Sequence, residues 1–351
     1  MLTALSSLSV SVSQAQTPQR EIRVGGIFDL TGGGAIWGKT EHNAFLLACK
    51  DFESRHPHID VKPFVEDSMF SSRQTVTALH KLTSVDKISY VVGATWETTV
   101  AMMPICEAKR VVCLSPSYHG KEYYERPWRY NFTAWFDDRG YSRAISDHIN
   151  SSHLKTIAIF AALTPYYDSL VENLVGNTTA KVVANNRFVL EERDFKSVIA
   201  KAPYDLAAIV MLLDNAGQIQ AFLKQWSELR RDRPVVYSDD LIVYLDPPDN
   251  ILKYGFTYYY SYPLFDSKQA EEFTSRYTSA YGSRPEGSSG SVTYDETMIV
   301  LGCATSSNSA EEARSCVAAT SNYKGYSGVI SLNGKQTVTN RQIGIQKLGG
   351  S

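Results

Sequence analysis

The sequence predicts an α/β protein made of two doubly wound parallel-sheet lobes, and three observations carry that prediction. From residue 21 onward, short β-branched runs alternate with amphipathic helical stretches. The runs are continuously apolar rather than alternating, which marks strands of parallel sheets covered on both faces. The alternation comes in two successive series, and 351 residues exceed what one ordinary core organises.

In order, "EIRVGGIF" is a strand and "WGKTEHNAFLLACKDFESRH" a helix with Phe45, Ala48, Cys49 and Phe52 on one face. "VKPFVED" is the next strand. "SSRQTVTALHKLTSV" follows as a helix, with Val76, Leu79 and Leu82 at a spacing of three. "ISYVVGA" and "RVVCLSP" are buried strands around the helix "TTVAMMPICEAK". The second series runs through the strands "LKTIAIFAAL", "VVANNRFVLEER", "DLAAIVMLLD" and "RPVVYSDD". Its helices are "YYDSLVENLVGN" and "AGQIQAFLKQWSELRR". After "GFTYYYSYP" come two helices, "SKQAEEFTSRYTSAYG" and "SVTYDETMIVLGCATSS", separated by the turn-rich "GSRPEGSSGS". The tail "GVISLNGKQTVTNRQIGIQKL" reads as a β-hairpin turning at Asn333-Gly334.

Apolar residues at 43% and charged residues at 21% are globular values. A formal net charge of −2 gives no basic surface for nucleic acid or an anionic membrane. The 21 Tyr and 5 Trp suit both cores and the walls of small-ligand sites. Residues 1–20 carry no charge before Arg20 and end in "SQA", a small-x-small cleavage signal at Ala15. They read as the back half of a secretory signal without its basic region, or as a disordered terminus. No later run is long and apolar enough to span a bilayer.

The five cysteines match no zinc or redox spacing. Cys303 and Cys316 flank a connection between helical segments and suit a disulfide in an exported chain; Cys106 and Cys113 are a second pair. Five buried thiols are the alternative.

"GGAIWGKT", Gly33 to Thr40, fits the phosphate-loop pattern G-x-x-x-x-G-K-[ST]. A phosphate nest needs small residues before Gly-Lys so that successive N–H groups wrap the anion, and Trp37 fits that poorly. "LAAIVMLLD", ending at Asp214, passes for a Walker B strand only as any apolar strand ending in Asp does. Nucleotide binding is therefore the lower alternative. The seven histidines show no metal spacing, and no G-x-S-x-G elbow occurs. No catalytic set, metal or cofactor is expected, and the chain does not read as an enzyme.

The ordered series "IRVGGIFDLTGGGAIWG", "EDSMFSSRQTVTALHKLTSVDKISYVVGA", "VVCLSPS", "RYNFTAWFDD", "KTIAIFAALTPYYDSL", "RDFKSVIAKAPYDLAAIVML", "VVYSDD", "SRYTSAYGSRPE" and "VTYDETMIVLGCA" resembles the type I periplasmic solute-binding proteins. The specific branch is the leucine/isoleucine/valine-binding family of branched-chain amino acid ABC transporters. The resemblance covers residues 21 to about 345. It implies two doubly wound lobes joined by a three-strand hinge, the periplasmic binding protein type I fold, with a ligand between them. Lobe one is then residues 21–138 plus 263–328, and lobe two 139–262 plus 329–351. Ligands of open parallel sheets sit beyond the carboxyl ends of the strands, where helix N-termini offer unpaired N–H groups.

By that resemblance, Trp37 matches the family's loop aromatic after the first strand; packing is its other use. "GATWETTV" corresponds to a loop where the family's serine hydroxyl and helix N–H groups hold a carboxylate. Here Trp96 and Glu97 occupy the loop, and Thr95, Thr98 and Thr99 supply hydroxyls. Glu97 repels a carboxylate seated there, or serves as a first-turn acid favoured by the helix dipole. In "LSPSYHG", Ser117, Tyr118 and His119 stand where the family has a ligand-contacting loop, and Tyr118 puts bulk in place of alanine. Tyr166, with Tyr167 competing, matches the tyrosine lining the lobe-two side. Asp239, with Asp240 as fallback, matches the acid that pairs with a ligand ammonium; a solvated strand end is the alternative. Asp214 and Asn215 end another strand, and Asp137 and Asp138 stand near the first crossing.

The expected ligand-binding set is Trp37, Trp96, Glu97, Thr98, Ser117, Tyr118, Tyr166, Asp214 and Asp239. The ligand is amino acid-like, an amide or cationic. The expected partner is a membrane ABC permease, served by a monomer that is secreted, periplasmic or associated with the cell surface. A ligand-sensing module of a signalling system is the alternative, because no partner-facing motif separates the two.

Overall fold

The computed structural model describes residues 20–242 and 247–349, apart from the side chain of Glu97. The expected leader at residues 1–20 lies, except for Arg20, outside the described residues.

Two separate sheets share one winding. The first holds β1 (Arg20–Phe28), β2 (Ile59–Asp67), β3 (Tyr90–Gly93), β4 (Val112–Leu114) and β5 (Asn131–Phe132), all parallel, in the order β2-β1-β3-β4-β5. The second contains β6 (Thr156–Ala162), β7 (Lys181–Phe188), β8 (Ala208–Leu212), β9 (Val235–Asp239) and β10 (Tyr258–Pro263), parallel in the order β10-β9-β8-β6-β7. The central strands β6 and β8 are buried almost throughout, as their continuous apolar runs require. β2 is an edge strand, which is why it tolerates Pro63. In each sheet the chain reverses its winding beside the first strand, between β1 and β3 and between β6 and β8. Such switch points leave a crevice at the carboxyl ends of the strands.

Helices cover both faces. Ala35–Arg55 buries Phe45, Ala48 and Phe52 on the first sheet, and Ser289–Ser306 is buried along almost its whole length. A Cβ on Gly290 would lie 2.7 Å from Thr40 Cγ2, so glycine lets these two helices approach closely. The second core centres on Phe160, Phe222 and Trp226.

The tail departs from the expected hairpin. β11 (Tyr323–Gly325) and β12 (Gly328–Ile330) form a small hairpin that turns before Asn333. Asn333 and Gly334 instead turn the chain back onto the helix Ala310–Ala318, where Gly334 N–H donates to Ala318 O at 2.7 Å. The last strand, β13 (Ile343–Lys347), joins the second sheet antiparallel to β10. The Asn-Gly signal was real, but its flanking strands pair elsewhere because β10 offers a longer partner edge.

Three crossings join the sheets and touch one another. Phe136 of the first and Phe265 of the second pack edge to face, centroids 5.0 Å apart. Arg341 of the third lies over Phe136 at 4.9 Å and is held by Ser327 O and Oγ. Disulfides link Cys106 to Cys113 and Cys303 to Cys316, and Cys49 is a buried free thiol.

Candidate functional site

A cavity of about 50 Å³ lies between the two sheets, at their carboxyl ends. That is several times the roughly 10–15 Å³ one water needs. Its walls come from both sides. Trp37 follows β1, Thr95 and Trp96 follow β3, and Ser117 follows β4. Tyr166 follows β6, and Asp240 and Leu241 follow β9. Trp135 of the first crossing, Tyr141 on the helix Asp138–Ser151, and Ser288 and Ser289 complete it.

Trp96 is the keystone of these walls. Its ring meets Trp37 edge to face at 5.4 Å and Phe70 at 5.9 Å, both from the first sheet's side. It also meets Tyr166 from the second at 5.9 Å. Trp96 has φ of 26°, a left-handed value that a bulky residue adopts only under constraint. Backbone strain of this kind is worth of order 1–3 kcal/mol and concentrates at ligand clamps. The turn that imposes it begins at Gly93, φ 128°, where a Cβ would lie 2.0 Å from Ile27 O.

Beneath and beside the cavity stand buried carboxyls. Asp240 is on the wall itself, 6% exposed. Asp239 is fully enclosed and accepts a hydrogen bond from Tyr166 Oη at 3.1 Å. Burial pushes its pKa up from 3.8 to about 7, against the pull of Tyr166 and with help from the charge of Asp214. Burial and the neighbouring Asp239 raise Asp240 well above the carboxylate range. On the other side, Asp29 accepts from Thr95 Oγ1 at 2.7 Å and from Ser68 Oγ. Burial raises its pKa too. Glu41, 0% exposed, has neither oxygen in a well-formed hydrogen bond. The hydroxyls of Ser289 and Ser117 come near enough to lower its pKa, yet burial and the charge of Asp29 still carry it to about 8. No Lys or Arg is among the described lining residues.

Of the residues expected from sequence, the structure brings Trp37, Trp96, Ser117 and Tyr166 together on the wall. Asp239 stands one hydrogen bond behind Tyr166, and the fallback Asp240 takes the wall position. Three others lie elsewhere. Thr98 is turned into the helix Trp96–Lys109, where its Oγ1 accepts from Thr95 N at 2.8 Å and donates to Thr95 O at 2.5 Å. Tyr118 is buried with Met103, Tyr123 and Trp128 and donates to Glu122, because its bulk finds room only away from the cleft. Asp214 is half-buried just beyond β8 and is not on the described lining, and its charge helps raise the Asp239 pKa. The Glu97 side chain lies outside the described residues. His119 is a buried structural group whose Nδ1–H donates to Trp135 O and whose Nε2 is hydrogen-bonded to Tyr124 Oη, and burial lowers its pKa to about 4. Asp138 is enclosed near the first crossing with Oδ2 unpartnered.

Trp135, Tyr141, Ser288, Ser289, Asp29 and Glu41 were missed. Glu41 had a readable signal, since it precedes Phe45 by four residues and Phe52 by eleven and so shares their apolar face. Ser288 and Ser289 read only as turn residues, because nothing local reveals which strand ends they face.

The "GGAIWGKT" loop is no phosphate nest. Leu30 and Thr31 N–H groups donate to Asp67 Oδ1 at 3.0 and 3.3 Å, and the amides of Trp37 and Gly38 bond to Gly34 O. Lys39 is exposed on the outside of the helix. Gly38 is required for a different reason: a Cβ there would lie 2.2 Å from Asp29 O.

The sequence profile of the periplasmic binding protein family matches residues 21–348. No curated protein matches the sequence. Among solved structures, the chain is similar to LivJ, the branched-chain amino acid transporter substrate binding protein of Streptococcus pneumoniae in complex with isoleucine. Identity is 18% and the TM-score 0.78, over 93% of this chain and 100% of that one. It is also similar to a solute binding protein of an ABC transporter from R. palustris in complex with 4-hydroxybenzoate, at 15% identity and a TM-score of 0.77 over 94% of both chains. A third, from Rhodopseudomonas palustris BisB5 in complex with 3,4-dihydroxybenzoic acid, is 19% identical with a TM-score of 0.74 over 93% of both chains. At such identities the likeness shows the fold.

Proposed function

Because the chain belongs to the periplasmic binding protein family, we propose that it is an extracytoplasmic solute-binding protein. It captures a small polar ligand between its lobes and delivers it to the permease of an ABC importer. The observation that carries this reading is the cavity, closed by Trp96 from one sheet against Tyr166 from the other, at both switch points. A ligand touching both walls stabilises the closed arrangement over the open one, which is how a hinge reports occupancy. Solved relatives in complex with isoleucine and with 4-hydroxybenzoate support a small organic solute.

The moving bodies are residues 21–138 with 263–337, and 139–262 with the last strand at 343–347. Residues 329–337 travel with the first, because Thr133 bridges Thr337 and the third crossing follows at 338–342. The protein acts as a monomer without a cofactor, and binding rather than catalysis is its chemistry. Among the described residues no helix is long and apolar enough to cross a membrane. Of the nine candidate residues, this reading takes Trp37, Trp96, Ser117 and Tyr166 as contacts and Asp239 as a supporting acid.

A thermal-shift screen across amino acids, amides, amines and aromatic acids tests capture. At least one class should raise the melting temperature by several degrees in a saturable way. A flat response across the whole screen would remove the reading.

A further inference from the structure

The hydrogen-bond polarity of the cavity narrows the ligand class. A hydroxyl has one proton to donate, and at Thr95, Ser117 and Tyr166 on the wall that proton points away from the ligand space. Thr95 Oγ1 donates to Asp29 Oδ2 at 2.7 Å, Thr98 Oγ1 to Thr95 O at 2.5 Å, and Ser117 Oγ to Ala94 O at 3.4 Å. Tyr166 Oη donates to Asp239 Oδ2 at 3.1 Å. Ser289 and Ser117 stand nearest the wholly buried Glu41, and Ser289 Oγ, like both Glu41 oxygens, makes no well-formed hydrogen bond. What Thr95, Ser117 and Tyr166 present inward is lone pairs.

The loop after β3 also lacks the anion seat its position suggests. Thr95 and Thr98 close a capping box on each other, and Asp29 sits directly behind Thr95. A carboxylate placed there meets a buried acid behind Thr95, whose own proton is already given to that acid. The rest of the lining is the aromatic rings of Trp37, Trp96, Trp135, Tyr141 and Tyr166, whose faces carry negative potential, together with Leu241, Ser288 and Ser289; Asp240 is on the wall, and there is no Lys or Arg among the described lining residues.

Resting on the solute-capture reading, we propose that the cleft takes a small organic cation without a carboxylate, an amine on an alkyl or aromatic body. The charge is held between Asp240 and the indole and phenol faces, and the N–H groups point at the hydroxyl lone pairs. A bound cation also lowers the cost of ionising the buried Asp240 on the wall, because an uncompensated buried charge is expensive and a paired one much less so.

The test is isothermal titration with matched pairs: isoamylamine against isovalerate, benzylamine against benzoate, and leucine, which carries both groups. The amine of at least one pair should bind ten times or more tighter than its acid and than leucine. In Asp240→Asn, checked for an unchanged fold by circular dichroism, that preference should fall below threefold. Equal or tighter binding of an acid or of leucine overturns this inference and leaves solute capture standing. Silence from all five compounds also overturns it, while the broader thermal screen decides capture separately. Full preference retained in both Asp240→Asn and Glu41→Gln would overturn the assignment of the charge to these carboxyls.

Discussion

Replacing Asp239 with Asn removes a single ionisation from the deepest part of the site and leaves its shape intact. Asp239 is 1% exposed and accepts from Tyr166 Oη; the Asn carbonyl accepts the same bond. Burial raises the Asp239 pKa from 3.8 to about 7 in the folded protein. The folded state therefore holds this proton more tightly than the unfolded chain. Its stabilising contribution is complete below about pH 3.8 and is lost as pH rises through 7. Over the whole window the loss is about 4 kcal/mol, at about 1.4 kcal/mol for each tenfold change in proton affinity. Between pH 5 and pH 8.5 it amounts to about 3 kcal/mol. Asn at 239 does not titrate, so its stability relative to the wild type should improve by about that much over the same interval. Denaturant unfolding followed by tryptophan fluorescence at the two pH values measures this directly. Curves that keep the same separation at both, within about 1 kcal/mol, would refute the claim that Asp239 is a desolvated, uncompensated acid. The same variant should bind a cationic ligand more weakly despite its greater stability at high pH, the trade-off expected of a strained binding site.

Other outcomes follow from the same geometry. Trp96→Ala removes the ring shared by Trp37, Phe70 and Tyr166. It should weaken ligand binding by tenfold or more in isothermal titration, and an unchanged affinity would show that the ring is only packing. Gly38→Ala drives a methyl into Asp29 O and should destabilise by about 2 kcal/mol or more, whereas Lys39→Ala on the exposed face should change neither melting temperature nor affinity. Replacing Cys303 and Cys316 by serine opens a loop of sequence separation 13 and should cost about 3 kcal/mol. Opening Cys106–Cys113, separation 7, should cost about 2 kcal/mol; scanning calorimetry with and without reductant measures both.

The strand and helix order was legible because parallel strands such as β6 and β8 are continuously apolar and their helices keep one apolar face. Trp37 and Tyr166 stand on the cavity wall, in the segments after the first strand of each sheet where the family resemblance puts them. The tail hairpin failed because pairing of β13 with β10 is a contact across about eighty residues, and local turn chemistry at Asn333-Gly334 carries no information about it. Tyr118 and Thr98 failed for a related reason. Their loops were placed correctly, but whether a side chain turns toward the cleft or back into its own helix depends on neighbours such as Glu122 and Thr95. The buried acids were the least visible. Asp29 looks like an ordinary strand-end residue until Ser68 and Thr95 close on it, and the apolar-face position of Glu41 does not by itself reveal that Ser289 lies beside it.

Closure of two lobes on a solute is most directly tested by an interlobe distance. Spin labels at Lys62→Cys and Lys224→Cys, both on exposed side chains of opposite sheets' layers, leave the buried thiol of Cys49 unlabelled. Pulsed dipolar spectroscopy should give a broad distribution for the empty protein. It should become narrower and shorter when the solute that most raises the melting temperature is added to saturation. Superimposable distributions with and without that bound solute would contradict capture between the lobes.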